Sequence, residues 1–240
     1  MSEENLRQTW IKRGIALHNL NHYQEAVESY DKALQIPDDD ALSGYRYKRN
    51  SDKAWAWANR GIALSDLKRY EQAIESYDKA LQINPDDDEA WNNRGFALGK
   101  LGSYQEALES FDKAIQINPD YDEAWAFYGA TLNELGFHKE VIEKYDKALQ
   151  INPNYYEVWY CRGLVLFTLG CHKEAIESYN KALQIKPDYH EAWYNRGLAL
   201  YYLKRYQEAI DSYDKALQIR PDEQLYLNNR KNALKKLKSQ

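Results

Sequence analysis

Cysteine is nearly missing from the sequence: 240 residues hold only Cys161 and Cys171, with no CxxC pair. That excludes a disulfide framework and predicts two buried or half-buried free thiols. Long apolar runs are missing as well. No stretch approaches the ~18 apolar residues of a membrane-spanning helix, and the mean hydropathy is −0.82. The first ten residues, MSEENLRQTW, lack a basic start followed by an apolar core, so no cleaved secretory leader is predicted. A basic excess is also lacking. Lys plus Arg number 32 against 37 Asp plus Glu, a net charge of −5, and nucleic acid is not the expected partner, since phosphate binding draws on such an excess. Phosphate loops, zinc-binding His motifs and nucleophile elbows do not occur. No catalytic residue, cofactor or metal site is predicted.

Aromatic residues, in contrast, are plentiful. Tyr (21) and Trp (7) outnumber Phe (5), and the 44% hydrophobic content can sustain a packed interior rather than disorder. A soluble cytoplasmic protein with no membrane association is expected.

The tryptophans are periodic. Trp57, Trp91, Trp125, Trp159 and Trp193 follow one another every 34 residues, and Pro85, Pro119, Pro153, Pro187 and Pro221 keep the same period. Trp10 and Pro37 mark one further copy. A fixed period of this size means stacked supersecondary units, and each proline ends a unit because it cannot continue a helix. Counting from each Trp, position +4 is Gly14, Gly61, Gly95, Gly129, Gly163 and Gly197. Position +16 is Ala or Val141, +20 is Tyr or Phe111, and +23 is always Ala, from Ala33 to Ala216. Glycine inside a helix costs ~1 kcal/mol against alanine, so its recurrence predicts close approach of two helices. Gly102, Gly136 and Gly170 fall where the first helix must turn, a place suited to the left-handed conformation.

This pattern resembles the tetratricopeptide repeat, W-x₂-L-G-x₂-Y…A-x₃-F…P. Six units cover about 7–37, 54–87, 88–121, 122–155, 156–189 and 190–223, and 224–238 resembles an end-capping helix with Leu227 in the Trp place and Lys231 in the Gly place. The resemblance implies an all-α, right-handed superhelical solenoid of helix-turn-helix units forming one domain over 1–240. One departure is systematic. The residue before the Gly is Arg13, Arg60, Arg94, Arg162 or Arg196, with Tyr128 the exception, and these arginines are expected to pair with nearby carboxylates. His138 and His172 take a register place held elsewhere by Tyr, so they read as substitutions rather than a metal pair. The carboxylates after each Pro are expected to cap and charge the next helix.

An insertion, residues 38–53, breaks the period and carries Arg46, Lys48, Arg49 and Lys53 interleaved with Tyr45 and Tyr47. A solvated lead into the next helix is the first reading, and a contact element the second.

On each first helix, offsets −2, +1, +2, +5, +8 and +9 share one arc. In the resembled family this arc lines a concave groove that holds peptides or partner helices. Here it carries Asn59, Asn93, Asn195 and Asn229 at +2, interrupted by Phe127 and Cys161. Toward the C-terminus it becomes apolar and aromatic, with Tyr160, Leu164, Phe167, Tyr194, Leu198, Tyr201 and Tyr202 read as five exposed aromatics and two leucines. Asn can both donate to and accept from a peptide backbone, and exposed aromatics are favoured binding anchors. Glu89, Glu123, Glu157 and Glu191 at −2 favour a partner with some Lys or Arg. The places where chaperone-binding relatives put basic residues hold Ala58, Ile62, Glu123 and Phe127, or Tyr160, Leu164 and Leu225, so acidic chaperone tails are not expected to bind.

The function read from the sequence is therefore a non-enzymatic scaffold or adaptor for a protein or peptide partner. The alternatives are a helical-repeat nucleic-acid binder using 46–53, and self-association into a homo-oligomer.

Overall fold

The computed structural model describes residues 3–37 and 46–239, with side chains from residue 50 onward in the second stretch. Thirteen helices and no strand occur among the described residues. They alternate as first and second helices of each unit: α1 (Glu3–Asn19) with α2 (Tyr23–Gln35), α3 (Arg46–Asp66) with α4 (Tyr70–Ile83), and α5 (Asp88–Lys100) with α6 (Tyr104–Ile117). The series continues as α7 (Asp122–Glu134) and α8 (His138–Ile151), α9 (Tyr156–Thr168) and α10 (His172–Ile185), then α11 (His190–Tyr202) and α12 (Tyr206–Ile219). Last comes α13 (Gln224–Leu237), at the place expected for the capping helix. The chain groups into two compact units, Met1–Thr131 and Leu132–Gln240.

The repeated small and aromatic residues form the core. The +16 and +23 alanines are fully buried, and so, within 3%, are the +20 rings from Tyr30 to Tyr213. The recurrent glycines are where those rings lie against the first helix. A Cβ added at Gly61 or Gly163 would stand 2.5 Å from Tyr77 or Tyr179, and one at Gly95 would stand 2.7 Å from Phe111.

Tryptophan plays a different part from the one expected of a core residue. Its ring is half-buried, because the indole N–H needs an acceptor. Trp91, Trp125, Trp159 and Trp193 donate to the carbonyls of Pro85, Pro119, Pro153 and Pro187, at 2.9, 2.9, 2.9 and 2.8 Å. The common period of Trp and Pro is this bond.

The expected pairing with carboxylates forms at Arg60, Arg94 and Arg162, each with a serine as second partner, whereas Arg196 meets the amide of Asn180 and Arg13 is exposed over the Trp10 ring. Arg94 Nε donates to Asp78 (2.7 Å) and its Nη1 to Ser110 (2.8 Å). Arg162 repeats this with Asp146 and Ser178, Arg60 with Asp31 and Ser76, and Arg196 with Asn180 and Ser212. Arg230 of α13 pairs with Asp214. The guanidinium groups of Arg60, Arg94, Arg162 and Arg196 also lie over their own unit's Trp, as with Arg60 at 5.5 Å from the Trp57 ring.

The turn after each first helix needs one left-handed residue. Gly102, Gly136 and Gly170 supply it at φ 80°, 82° and 78°, and Asn21, Lys68 and Lys204 adopt it at 62°, 60° and 60°. The turn is closed by a six-residue backbone bond, such as Arg69 N to Leu64 O at 2.9 Å. A left-handed lysine is strained where glycine is not. Lys68→Gly and Lys204→Gly are each expected to raise the urea unfolding free energy by about 0.5–1 kcal/mol, and a loss in both would contradict this reading of the turn.

Capping departs from expectation. Asp87 accepts from Ala90 N at 2.9 Å, but Tyr155, Tyr189 and Glu223 hold the N-cap places of α9, α11 and α13 without a side-chain cap bond. Glu89, Glu123, Glu157 and Glu191 instead sit in the first turns, where they meet the helix dipole.

Candidate functional site

In the unit Leu132–Gln240, the first-helix faces of α9, α11 and α13 carry two aromatic groups. At the N-terminal end, Tyr160 accepts from Asn195 Nδ2 at 3.0 Å, and Tyr194 accepts from Asn229 Nδ2 at 2.8 Å. Each Asn thus ties its helix to the tyrosine one repeat earlier. Asn195 Nδ2 also reaches Glu191 O at 3.0 Å. This corrects the expectation that these amides are open to a peptide backbone: their donor side is engaged within the protein. Tyr160 lies 4.8 Å from Tyr189, and Tyr194 stacks on Tyr226 at 4.4 Å. Burial, and then the Glu191 carboxylate, pushes the Tyr160 phenol up to about 12, while the Asn195 bond opposes the shift. Lys186 lies over the Tyr156 ring at 4.5 Å and donates to its hydroxyl at 3.0 Å.

Near the turns, Phe167, Tyr202 and His172 form a second group. Tyr202 is 5.5 Å from Phe167 and stacks on His172 at 5.2 Å, and Tyr201 packs on Tyr206 at 5.3 Å. Leu164, Leu198, Phe167, Tyr160, Tyr194 and Tyr201 all lean on the core. Of the five aromatics expected to be exposed, only Tyr202 is, at 62%. The others are half-buried because the neighbouring repeat packs over their flanks, which a single-helix projection does not include.

In the unit Met1–Thr131, Asn59 bonds to Trp55 O of its own helix at 2.9 Å, and Asn93 is half-buried. Phe127 packs on Phe96 at 5.3 Å and Phe111 at 6.1 Å, so it serves the core as well as the surface. Sequence reasoning passed over Asn92 and Trp55. Asn92 is buried and donates to Tyr121 Oη at 3.3 Å. Trp55, out of phase with the other tryptophans, is 42% exposed. Their offsets, +1 and −2, already lay on the groove arc and were the signal.

Residues 38–45 of the insertion lie outside the described residues. Arg46–Lys53 forms the first turns of α3. The two cysteines are free and half-buried, with Cys161 bonded to Tyr145 and its thiol pushed up by burial. No described helix is long and apolar enough to cross a membrane.

Family models of the tetratricopeptide repeat match residues 88–121 and 190–223, and 8–36, and a further TPR repeat model matches 61–102, 129–170 and 166–203. The chain belongs to the tetratricopeptide repeat family. Among solved TPR structures, YrrB, described as a TPR protein with an unusual peptide-binding site, is 26% identical with a TM-score of 0.65, over 80% of this chain and 96% of that one. MamA is 27% identical with a TM-score of 0.64, over 68% and 95%. Pseudomonas aeruginosa pilF, 18% identical with a TM-score of 0.76 over 96% and 99%, shares the fold. No curated protein matches the chain. The TPR architecture, with YrrB and MamA as neighbours, supports a protein-interaction scaffold.

Proposed function

We propose that this TPR protein is a non-enzymatic adaptor that holds a peptide or helix of a partner protein on the first-helix face of α9 and α11. The observation that supports it most is Tyr202. Its ring is exposed on a support of Phe167 and His172, with Tyr201, Leu198 and Leu164 beside it on the same helix faces. A large aromatic held rigidly at the surface loses little entropy on binding. The resemblance to YrrB, whose description includes a peptide-binding site, points the same way.

Tyr202→Asp tests this without touching the core, which Tyr194, Tyr201 and Phe167 all support. Wild type and variant are used to capture partners from the native cell, followed by mass spectrometry and calorimetry with the segment recovered. A partner retained by wild type and weakened about tenfold or more by the variant, at equal melting temperature, is the expected result. Identical capture by both moves the site elsewhere.

A further inference from the structure

Unit Met1–Thr131 carries a polar group on its first-helix face that the aromatic site does not use. Glu89 and Asn92 stand three residues apart on α5 and so share one side of it. Glu123 takes the place of Glu89 one repeat later, on α7. Both carboxylates are exposed, and among the described residues neither has an ion-pair partner, whereas Asp78 in the same unit is held by Arg94.

Asn92 is an independent observation. It is 1% exposed, its Nδ2 is committed to Tyr121 Oη, and its Oδ1 is buried with no donor. Tyr121 locates that amide beside the carboxylates: its phenol is pushed up by burial and then by Glu123, Glu89 and Asp88. The Glu89 carboxyl is raised as well, by burial and then by Asp87, Asp88 and Glu123. Asp88 already accepts from Asn118 Nδ2 at 2.6 Å. What remains is two carboxylates and one amide oxygen, with the single O–H of Tyr121 the neighbouring donor and no cation paired with either carboxylate among the described residues. Among the described residues no cluster of three side chains is arranged to hold a metal ion. A guanidinium, with five N–H donors in one plane and a full positive charge, supplies what the group lacks.

We propose that Glu89, Glu123 and Asn92 form a subsite for the arginine side chain of a peptide ligand. This rests on the peptide-binding reading, but it lies in the other unit and uses different chemistry from the Tyr202 face.

The full ¹⁵N-labelled chain is titrated with N-acetyl-arginine methylamide and, in parallel, with the citrulline analogue, which keeps the shape and loses the charge. The Asn92 side-chain amide resonances are expected to move saturably with the arginine probe and about tenfold more weakly with citrulline. The double variant Glu89→Gln/Glu123→Gln should weaken the arginine probe by about fivefold or more at unchanged melting temperature, while Glu157→Gln in the other unit leaves it unaltered. Equal response to both probes, an unresponsive Asn92 amide, or full affinity in the double variant overturns the subsite. Because the probe is a single amino acid, a failed Tyr202 capture leaves this result standing, and the reverse outcome sinks the subsite alone.

Discussion

Gly197→Ala is expected to lower the unfolding free energy by about 2 kcal/mol, although alanine is the better helix former by about 1 kcal/mol. The added methyl would stand 2.6 Å from Tyr213 Cε1, a ring with no solvent exposure and no room to retreat. Overpacking of a rigid core costs about 1–3 kcal/mol, and a contact this short belongs at or beyond the upper end. Gly99→Ala is the matched control. It makes the same change, also in a first helix, but the nearest atom to its new Cβ is Thr131 Oγ1 at 4.0 Å. Stability should therefore rise there, by up to about 1 kcal/mol. Tyr213→Leu in the Gly197→Ala background should recover part of the loss, giving a coupling energy between the two sites. The close-approach account fails if urea melts show both glycine variants moving in the same direction.

Alkaline unfolding is the second large effect. Tyr77, Tyr145, Tyr179 and Tyr213 are all buried, and burial raises each phenol above its ordinary value of 10.0; Tyr30 is pushed up to about 12. Below pH 10 the phenols are neutral in both folded and unfolded chains, so they contribute no pH dependence. Above pH 10 the unfolded chain releases protons that the folded chain retains, and stability falls as pH rises. Each such tyrosine removes about 1.4 kcal/mol per pH unit, so four together remove on the order of 5 kcal/mol per unit. A domain stable by about 5–15 kcal/mol is then expected to unfold cooperatively between pH 10 and 12. The loss of far-ultraviolet circular dichroism should coincide with the tyrosinate absorbance contributed by the buried rings. The Tyr179 and Tyr213 hydroxyls are buried without hydrogen-bond partners, and Phe111 already occupies the equivalent place. Tyr179→Phe with Tyr213→Phe should thus be neutral or stabilising near pH 7, by up to about 1 kcal/mol each, and should move the alkaline midpoint upward. Ionisation of all 21 tyrosines with helicity intact would contradict the burial argument.

The fold could be read in the sequence because it is written six times. A single Gly-to-Tyr spacing of 16 residues, as in Gly61 and Tyr77, is weak by itself. Its recurrence in phase with Trp and Pro leaves little freedom, and positions +4, +16, +20 and +23 are the buried ones, while the Trp place itself is half-buried. The surface was harder to read because its character depends on the next repeat. Nothing within α9 tells whether Tyr160 is bare, since its cover is Asn195 and Tyr189 from beyond the turn. Asn92 shows the same blindness in reverse. Its offset placed it on the open arc, yet Tyr121 of the following turn engages it and its own burial is nearly complete. Local periodicity fixes which face a residue is on, and only the neighbouring helix decides what that face touches.

The arginine ladder bears on how such a chain can change its length. Each clamp draws an acceptor from the second helix of the unit before, the guanidinium from its own first helix, and a serine from its own second helix. A duplicated unit that carries the arginine therefore arrives with one cation seeking a partner behind it and one acceptor offered to the unit ahead. Inserted whole, it closes both joints and leaves no charge stranded; Asn180 in place of an aspartate even keeps the joint while dropping a charge. A cut within a unit separates the halves of a clamp, so growth and loss by whole units are the changes that this chemistry permits at least cost.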